Sequence, residues 1–400
     1  MRHDVLSEIL EPADSTIVLL VLDGLGGLPD EGTETTLEAA ETPNFDQLAA
    51  SAECGLQVPV GTGIIPGSGP GHLGLFGYDP LEYRVGRGVL SALGIGFDLH
   101  DGDVAARGNF CTVDEEGVVT DRRAGRISTE TNEKLCEKLS QIELPGVDVF
   151  VETVKEHRFL LALRGNGLVG DIHDTDPHEV GHPADPARPK HPEAERTADL
   201  VANFVRQANE LLADEEPANS LLLRGFDSRP DWPRFPQAYG LDAACVASYP
   251  MYKGVSKLVG MEVLEADNPI EKKFELVGDR WEDYDFFFIH EKGTDSSGED
   301  GDFERKRETI EEVDRHLPKL LDLDPDVLFV TGDHSTPAVM KQHSWHPVPV
   351  LMSGPNVRPD GVEQFGERPC TDGALGPQFP ARDLMALALA NAGRLTKYGA

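Results

Sequence analysis

Three apolar runs in this chain each end in a glycine-bearing turn that carries a hard-ligand side chain. Ile17-Val18-Leu19-Leu20-Val21-Leu22 runs into Asp23-Gly24, and Phe286-Phe287-Phe288-Ile289-His290 runs into Gly293-Thr294-Asp295. The third, Val327 to Val330, gives way to Thr331-Gly332-Asp333-His334-Ser335-Thr336-Pro337, followed by His343-Ser344-Trp345-His346-Pro347. Short runs of this kind, closed by turn residues, read as apolar strands. In open parallel sheets the ligands sit beyond the carboxyl ends of such strands. The expectation is an α/β fold with a central, mostly parallel sheet and a metal site at its edge.

The 400 residues are enough for one large domain or two ordinary ones. The βα rhythm holds at both ends of the chain and breaks in between. Strand 16–22 leads to a helix from Thr42-Pro43-Asn44-Phe45, with Thr42 as its cap, and then to strand 54–60. The middle alternates short strands (104–113, 147–153, 158–163) with helices (129–140, 193–214) and a polar loop, 170–192. The rhythm resumes with Ser220 to Leu223, Ala243 to Ser248, Tyr284 to His290, helix 303–321 and strand 327–331. We therefore expect a metal-binding core made of 1–98 and 218–400, with 99–217 inserted as a smaller α+β domain that binds substrate or acts as a lid.

Thirty-six Lys and Arg against 71 Asp and Glu give a formal charge of −35. Such a surface repels nucleic acid and anionic membranes, so neither is expected as a partner. A high-salt cytoplasm and an ordinary acidic enzyme explain it equally well. No apolar run approaches the roughly 20 residues of a membrane span, and the opening Met1-Arg2-His3-Asp4 is not a signal peptide, so a cytoplasmic location is expected. Five scattered cysteines with no CxxC pair read as reduced thiols. The sequence leaves the oligomeric state open.

In Pro66-Gly67-Ser68-Gly69-Pro70-Gly71-His72-Leu73, a serine flanked by glycines precedes a helix-compatible stretch. Near a helix N-terminus its hydroxyl faces the unpaired N–H groups that favour anions. The ligand set assembles as two groups: Asp23, Asp333 and His334 with Ser68 as alkoxide, and Asp295, Glu299 and His343. Two divalent ions held this way would acidify the serine and clamp a phosphoryl group.

These motifs, with Gly77-Tyr78-Asp79-Pro80, Gly86-Arg87-Gly88, Asp121-Arg122-Arg123-Ala124-Gly125-Arg126, Tyr252-Lys253-Gly254 and the closing Lys397-Tyr398-Gly399-Ala400, span nearly the whole chain. Together they resemble the 2,3-bisphosphoglycerate-independent phosphoglycerate mutases of archaeal type, in the alkaline phosphatase superfamily. The resemblance implies an alkaline-phosphatase-like core and isomerisation of 3-phosphoglycerate and 2-phosphoglycerate. It makes Ser68 the phosphorylated nucleophile and Asp23, Asp295, Asp333, His334 and His343 metal ligands. The family's D-x-x-G-H-D-G reads Asp295-Ser296-Ser297-Gly298-Glu299-Asp300-Gly301 here, with glutamate in place of histidine. That substitution favours manganese or magnesium over zinc, or marks an inactive regulatory paralogue. A metal-dependent phosphatase or another phosphomutase of the superfamily shares the same core. Gly69 also replaces an acid often found after the serine. The small anionic, phosphorylated substrate requires cations, for which Arg107, Arg122, Arg123, Arg126, Arg158, Arg224 and Lys253 are the candidates. If the Asp121–Arg126 segment is helical, spacing of three or four can put two of its arginines on one face. His173, His178 and His182 are irregularly spaced and read as a solvated loop.

Overall fold

The computed structural model describes residues 3–30 and 32–399; Met1, Arg2 and the closing Ala400 of the sequence motifs lie outside them. In chain order the strands are β1 (Ile17–Leu22), β2 (Glu53–Val58), β3 (Val104–Val113), β4 (Val119–Asp121), β5 (Asp148–Lys155), β6 (Arg158–Arg164) and β7 (Ser220–Ser228). They continue with β8 (Ala243–Ala247), β9 (Glu262–Glu265), β10 (Phe286–Glu291), β11 (Val327–Thr331), β12 (Val348–Ser353) and β13 (Gly376–Pro380). The chain divides into two compact units, one of residues 1–84 with 232–400 and one of residues 85–231.

The first unit is built on an eight-stranded sheet of order β13-β2-β12-β11-β1-β10-β8-β9. β1 lies parallel to β10 on one side and to β11 on the other, and β8 and β9 continue in the same sense. β12 alone runs against its neighbours. All six residues of β1 and all five of β8 and β11 are buried, because helices cover both faces and leave no polar side to the pleat. The helix Pro43–Ala49 begins where expected, with Pro43 in its first turn, but the Thr42 hydroxyl does not cap it. Asp314, from the helix Phe303–Leu321, accepts the Phe45 N–H at 2.7 Å and the Asn44 N–H at 3.3 Å instead. A charged acceptor from a neighbouring helix thus replaces a local hydroxyl at the positive end of the dipole.

The second unit holds an antiparallel sheet in which β3 pairs with β4, β6 and β7, and β5 pairs with β6. Alternation along the strands splits it into two faces. Val104, Ala106 and Phe110 of β3, Phe159, Leu161 and Leu163 of β6, and Leu221 and Leu223 of β7 pack with the helices Thr129–Leu139 and Glu195–Leu212 into one core. Arg107, Asn109, Arg158 and Arg224 occupy the alternate positions. Ser220 to Leu223, which the rhythm assigned to the core sheet, belongs here as part of β7. An apolar run of four does not encode which sheet it joins, and nine residues of pairing potential against β3 decide it. The units therefore divide at 84/85 and 231/232, whereas the sequence placed the junctions at 98/99 and 217/218. Residues 85–98 go with the second unit because the helix Arg87–Gly94 packs on β3 and β7 and the Gly86 N–H donates to Asp227 at 2.6 Å.

No helix among the described residues is long and apolar enough to cross a membrane. All five cysteines are buried and unbridged.

Candidate active site

Because β10, β1 and β11 are parallel and in register, with Val21 beside His290 on one side and Thr331 on the other, their carboxyl ends open onto one edge of the sheet. Asp23 and the Asp333-His334 pair emerge there, fully buried. His334 Nε2 lies 3.3 Å from Asp23 Oδ1, 3.2 Å from Asp333 Oδ2 and 3.3 Å from Ser68 Oγ. The helix Ser68–Leu75 starts at Ser68, after an extended Gly67, so the hydroxyl sits at the helix N-terminus as the sequence suggested. Close packing permits this approach. A β-carbon at Gly71 would run into the Asp333 carbonyl oxygen. We expect Gly71→Ala to cost about 1–3 kcal/mol by overpacking and to lower turnover by moving Ser68, measured by denaturant unfolding and steady-state assay.

A second cluster adjoins the first. Single ligand atoms from Asp23, Asp333 and His334 lie within 4.8 Å of one another, and so do those from Asp295, His334 and His343. Glu299 stands at the rim, with its side chain 57 % exposed and Oε1 3.8 Å from His343 Nε2. Two hydrogen bonds fix the imidazole tautomers. His343 Nδ1 is 2.8 Å from the Pro66 carbonyl, which can only accept, so Nδ1 carries a proton and Nε2 is turned towards Asp295, 3.5 Å away. The Thr336 hydroxyl gives its one proton to Asp295 Oδ1 at 2.6 Å and must accept from His334 Nδ1 at 3.0 Å. His334 Nε2 is thereby left bare, facing Ser68 and the two carboxylates.

Charge balance at this edge is unusual. Burial alone would raise Asp23, yet Lys292, 3.0 Å away, together with His290 and His334 holds its carboxyl well below the usual range. Burial and the Asp23 charge push Asp333 up, but His334 and His72 outweigh them and leave it lowered. Burial keeps His334 below its ordinary value and pushes His290 down to about 4, so both are neutral at pH 7. Asp23 Oδ1 and Asp333 Oδ2 receive no hydrogen bond, as buried carboxylate oxygens rarely tolerate. Hard-oxygen donors left open beside neutral imidazoles suit a divalent cation.

Sequence reading missed several contributors. Lys292 contacts both Asp23 and Asp295, and Tyr252 donates its hydroxyl to Asp23. The fully buried Lys306 donates to the carbonyls of Gly24 (2.8 Å), Gly26 (3.1 Å) and Thr336 (2.9 Å), stitching together the turns after β1 and β11. His72, one helical turn past Ser68, reaches Asp333 at 3.2 Å. Lysines flanking ligand turns in so acidic a chain were the available signal.

In the second unit a pocket of about 290 Å³ is lined by Arg87, Arg107, Arg122, Arg123, Arg158 and Arg224, with Asn109 and His157. Arg107 lies directly across from Arg224 in the β3–β7 ladder. Like charges so placed are unfavourable unless an anion joins them. Two of the set share a buried carboxylate. Asp176 accepts two bonds from Arg122 at 2.9 Å and lies 3.2 Å from Arg224; although burial would raise it, these bonds hold it below the usual carboxylate range. Of the seven predicted cations, Arg126 and Lys253 do not line this pocket. Ala124–Arg126 is a single turn rather than a helix, with Asp121 accepting the N–H groups of Arg123 and Gly125, so the two arginines do not share a helical face. Lys253, in the other unit, pairs with Glu265 at 2.6 Å. His178 and His182 are exposed on their loop.

A largely parallel sheet with a helix-borne serine set against carboxylates and imidazoles at its carboxyl edge defines an α/β enzyme core with a serine beside a candidate metal site. Residues 49–219 match the profile of the 2,3-bisphosphoglycerate-independent phosphoglycerate mutases. Curated relatives named as probable mutases of this kind include one from Thermus thermophilus, 50 % identical over 99 % of both chains. Another, from Aquifex aeolicus, is 48 % identical over 99 % of this chain and 100 % of its own. The solved cofactor-independent phosphoglycerate mutase of Thermoplasma acidophilum superposes with a TM-score of 0.71 at 32 % identity, covering 94 % of this chain and 100 % of that one. A Pyrococcus horikoshii protein reaches 0.83 at 30 % identity over 96 % and 99 %. The chain belongs to the 2,3-bisphosphoglycerate-independent phosphoglycerate mutase family and is an isomerase.

Proposed function

We propose that this protein interconverts 3-phosphoglycerate and 2-phosphoglycerate through a phosphoserine on Ser68. Asp23, Asp333, His334 and Ser68 would hold one divalent ion, and Asp295, His343 and Glu299 a second beside it. When bound, these ions would acidify the serine hydroxyl and neutralise charge on the phosphoryl oxygens. Ser68 Oγ attacks phosphorus as the bond to O3 breaks, and the proton lost by the serine ends on the departing glycerate oxygen. The glycerate is retained by the arginines and reorients. Its O2 then attacks phosphoserine, the Oγ–P bond breaks, and Ser68 regains a proton. Water must be kept out, since a water attack in the second half would make the protein a phosphatase. That requirement gives the inserted unit, with Arg107, Arg122, Arg123, Arg158 and Arg224 as its substrate cations, a physical role.

The observation that carries this reading is the contact of Ser68 Oγ with the bare Nε2 of His334, at 3.3 Å, within a cluster of buried acids. The test couples the purified, metal-supplemented protein to enolase. Phosphoenolpyruvate without free phosphate is the expected result; stoichiometric phosphate release would instead make it a phosphatase of the same superfamily, and no turnover with any divalent metal would make it an inactive paralogue.

The second ion should be manganese or magnesium, because a glutamate adds charge where an imidazole would favour softer ions. Glu299→His is therefore expected to raise zinc affinity relative to manganese by about tenfold, a second-site change on the scale of one ligand, measured by competitive metal titration. Reduced, buried thiols and a small metabolite substrate fit a cytoplasmic enzyme.

A further inference from the structure

The arginine pocket has a neutral part that charge recognition does not explain. Asn109 lies two residues from Arg107 on the same face of β3 and directly across from Arg158 of β6. His157, just before Arg158, is fastened to β3 by the bond from the Phe110 N–H to its carbonyl at 2.8 Å. Both side chains line the pocket and are at least 95 % buried, at 5 % and 2 % exposure, yet Asn109 Oδ1 and His157 Nδ1 have no hydrogen-bond partner. Groups of this kind are rarely left unpaired unless a ligand completes them. Burial first, then Arg158, Arg123, Arg107 and Arg126, pushes His157 down to about 4, so it enters the pocket uncharged at pH 7.

The chemistry of these groups narrows the ligand. A carboxylate or phosphate oxygen satisfies arginine, but it only accepts, and so does an amide Oδ1. An anionic oxygen therefore cannot complete Asn109 Oδ1. A ligand that serves both parts of the pocket must carry an anionic group and, within a few ångströms of it, a hydrogen-bond donor, which in a phosphorylated hydroxy acid is the free hydroxyl. Hydroxy acids have this constitution, and simple carboxylic acids do not.

Building on the mutase reading above, we infer that Asn109 and His157 are specificity-determining residues that read the unphosphorylated hydroxyl of the substrate. That hydroxyl donates to Asn109 Oδ1 and meets the imidazole of His157, while the arginines take the carboxylate. In 3-phosphoglycerate it is the C2 hydroxyl and in 2-phosphoglycerate the C3 hydroxyl, so one acceptor serves both isomers.

The test compares 3-phosphoglycerate with 3-phosphopropanoate, which lacks only the C2 hydroxyl, by calorimetric binding to the full-length, metal-loaded Ser68→Ala protein. The hydroxy acid should bind about 10- to 100-fold more tightly, the range set by an unpaired buried acceptor. Asn109→Leu should bring the two affinities to within about threefold by weakening only the hydroxy acid, and His157→Phe should act in the same direction. Equal affinities in the protein with Asn109 intact would overturn the inference, a result that needs no pocket variant to fold. So would an Asn109→Leu protein in which both ligands weaken in parallel, since that marks a purely structural role. Failure of the wild-type protein to form 2-phosphoglycerate would remove the mutase reading, and the ligand comparison would still decide hydroxyl recognition separately.

Discussion

Ser68→Ala is expected to lower mutase turnover by about 10⁴-fold or more and to abolish transfer of labelled phosphoryl from substrate to protein. On the proposed route the variant lacks the group that would form the covalent bond, so supporting residues would leave little residual rate. The fold should tolerate the change. Among the described residues Ser68 Oγ makes one side-chain hydrogen bond, with His334 Nε2, and that nitrogen still faces Asp23 and Asp333. Unfolding free energy should therefore stay within about 1 kcal/mol of wild type, because neither a cap nor a packed methylene is lost. Labelled 3-phosphoglycerate, followed by denaturing separation of the protein, reads the covalent step directly. Turnover surviving in this variant at more than a small fraction of wild type would refute the phosphoserine route, whatever the metal content.

What the sequence shows and what it hides follow from the range of the interactions. Strands buried on both faces are written locally as unbroken apolar runs, so β1, β10 and β11 and the turns after them were legible from the order of residues alone. The helix start at Ser68 was legible too, since Gly67 and the apolar stretch after His72 are near neighbours. Lys306 was not. Its partners Gly24 and Gly26 lie 282 and 280 positions away, and nothing near residue 306 distinguishes this lysine from the charged helix around it. The cap on Phe45 comes from Asp314 for the same reason, so a well-placed Thr42 is overridden by a residue that the local sequence does not contain. β7 shows a further limit: strand character is local, but sheet membership depends on a long partner such as β3. Arg123 and Arg126 had helical spacing, but Asp121, accepting N–H groups at 2.8 and 2.6 Å, closes a tight turn first.

Asp333→Asn is expected to cost about 10³-fold or more in turnover and, more tellingly, to cancel the stabilisation by metal that the proposed site predicts for the wild-type protein. Asp333 Oδ1 accepts the Gly24 N–H at 3.1 Å, a bond that an asparagine carbonyl can keep. Oδ2 carries the charge facing His334 and His72, and it receives no hydrogen bond. The substitution thus leaves the turn after β1 anchored and removes one anionic oxygen from the first proposed metal site. A cation that binds only the folded state raises stability by about 2.7 kcal/mol at a hundred times its Kd. Wild-type protein should show this as a rise in Tm that grows with manganese concentration. In the variant the curve should stay nearly flat over the same range, because a site with one carboxylate fewer sits far from saturation. A Tm that climbs equally in both proteins would place the ion elsewhere, and with it the chemistry assigned to the edge where β1 and β11 end.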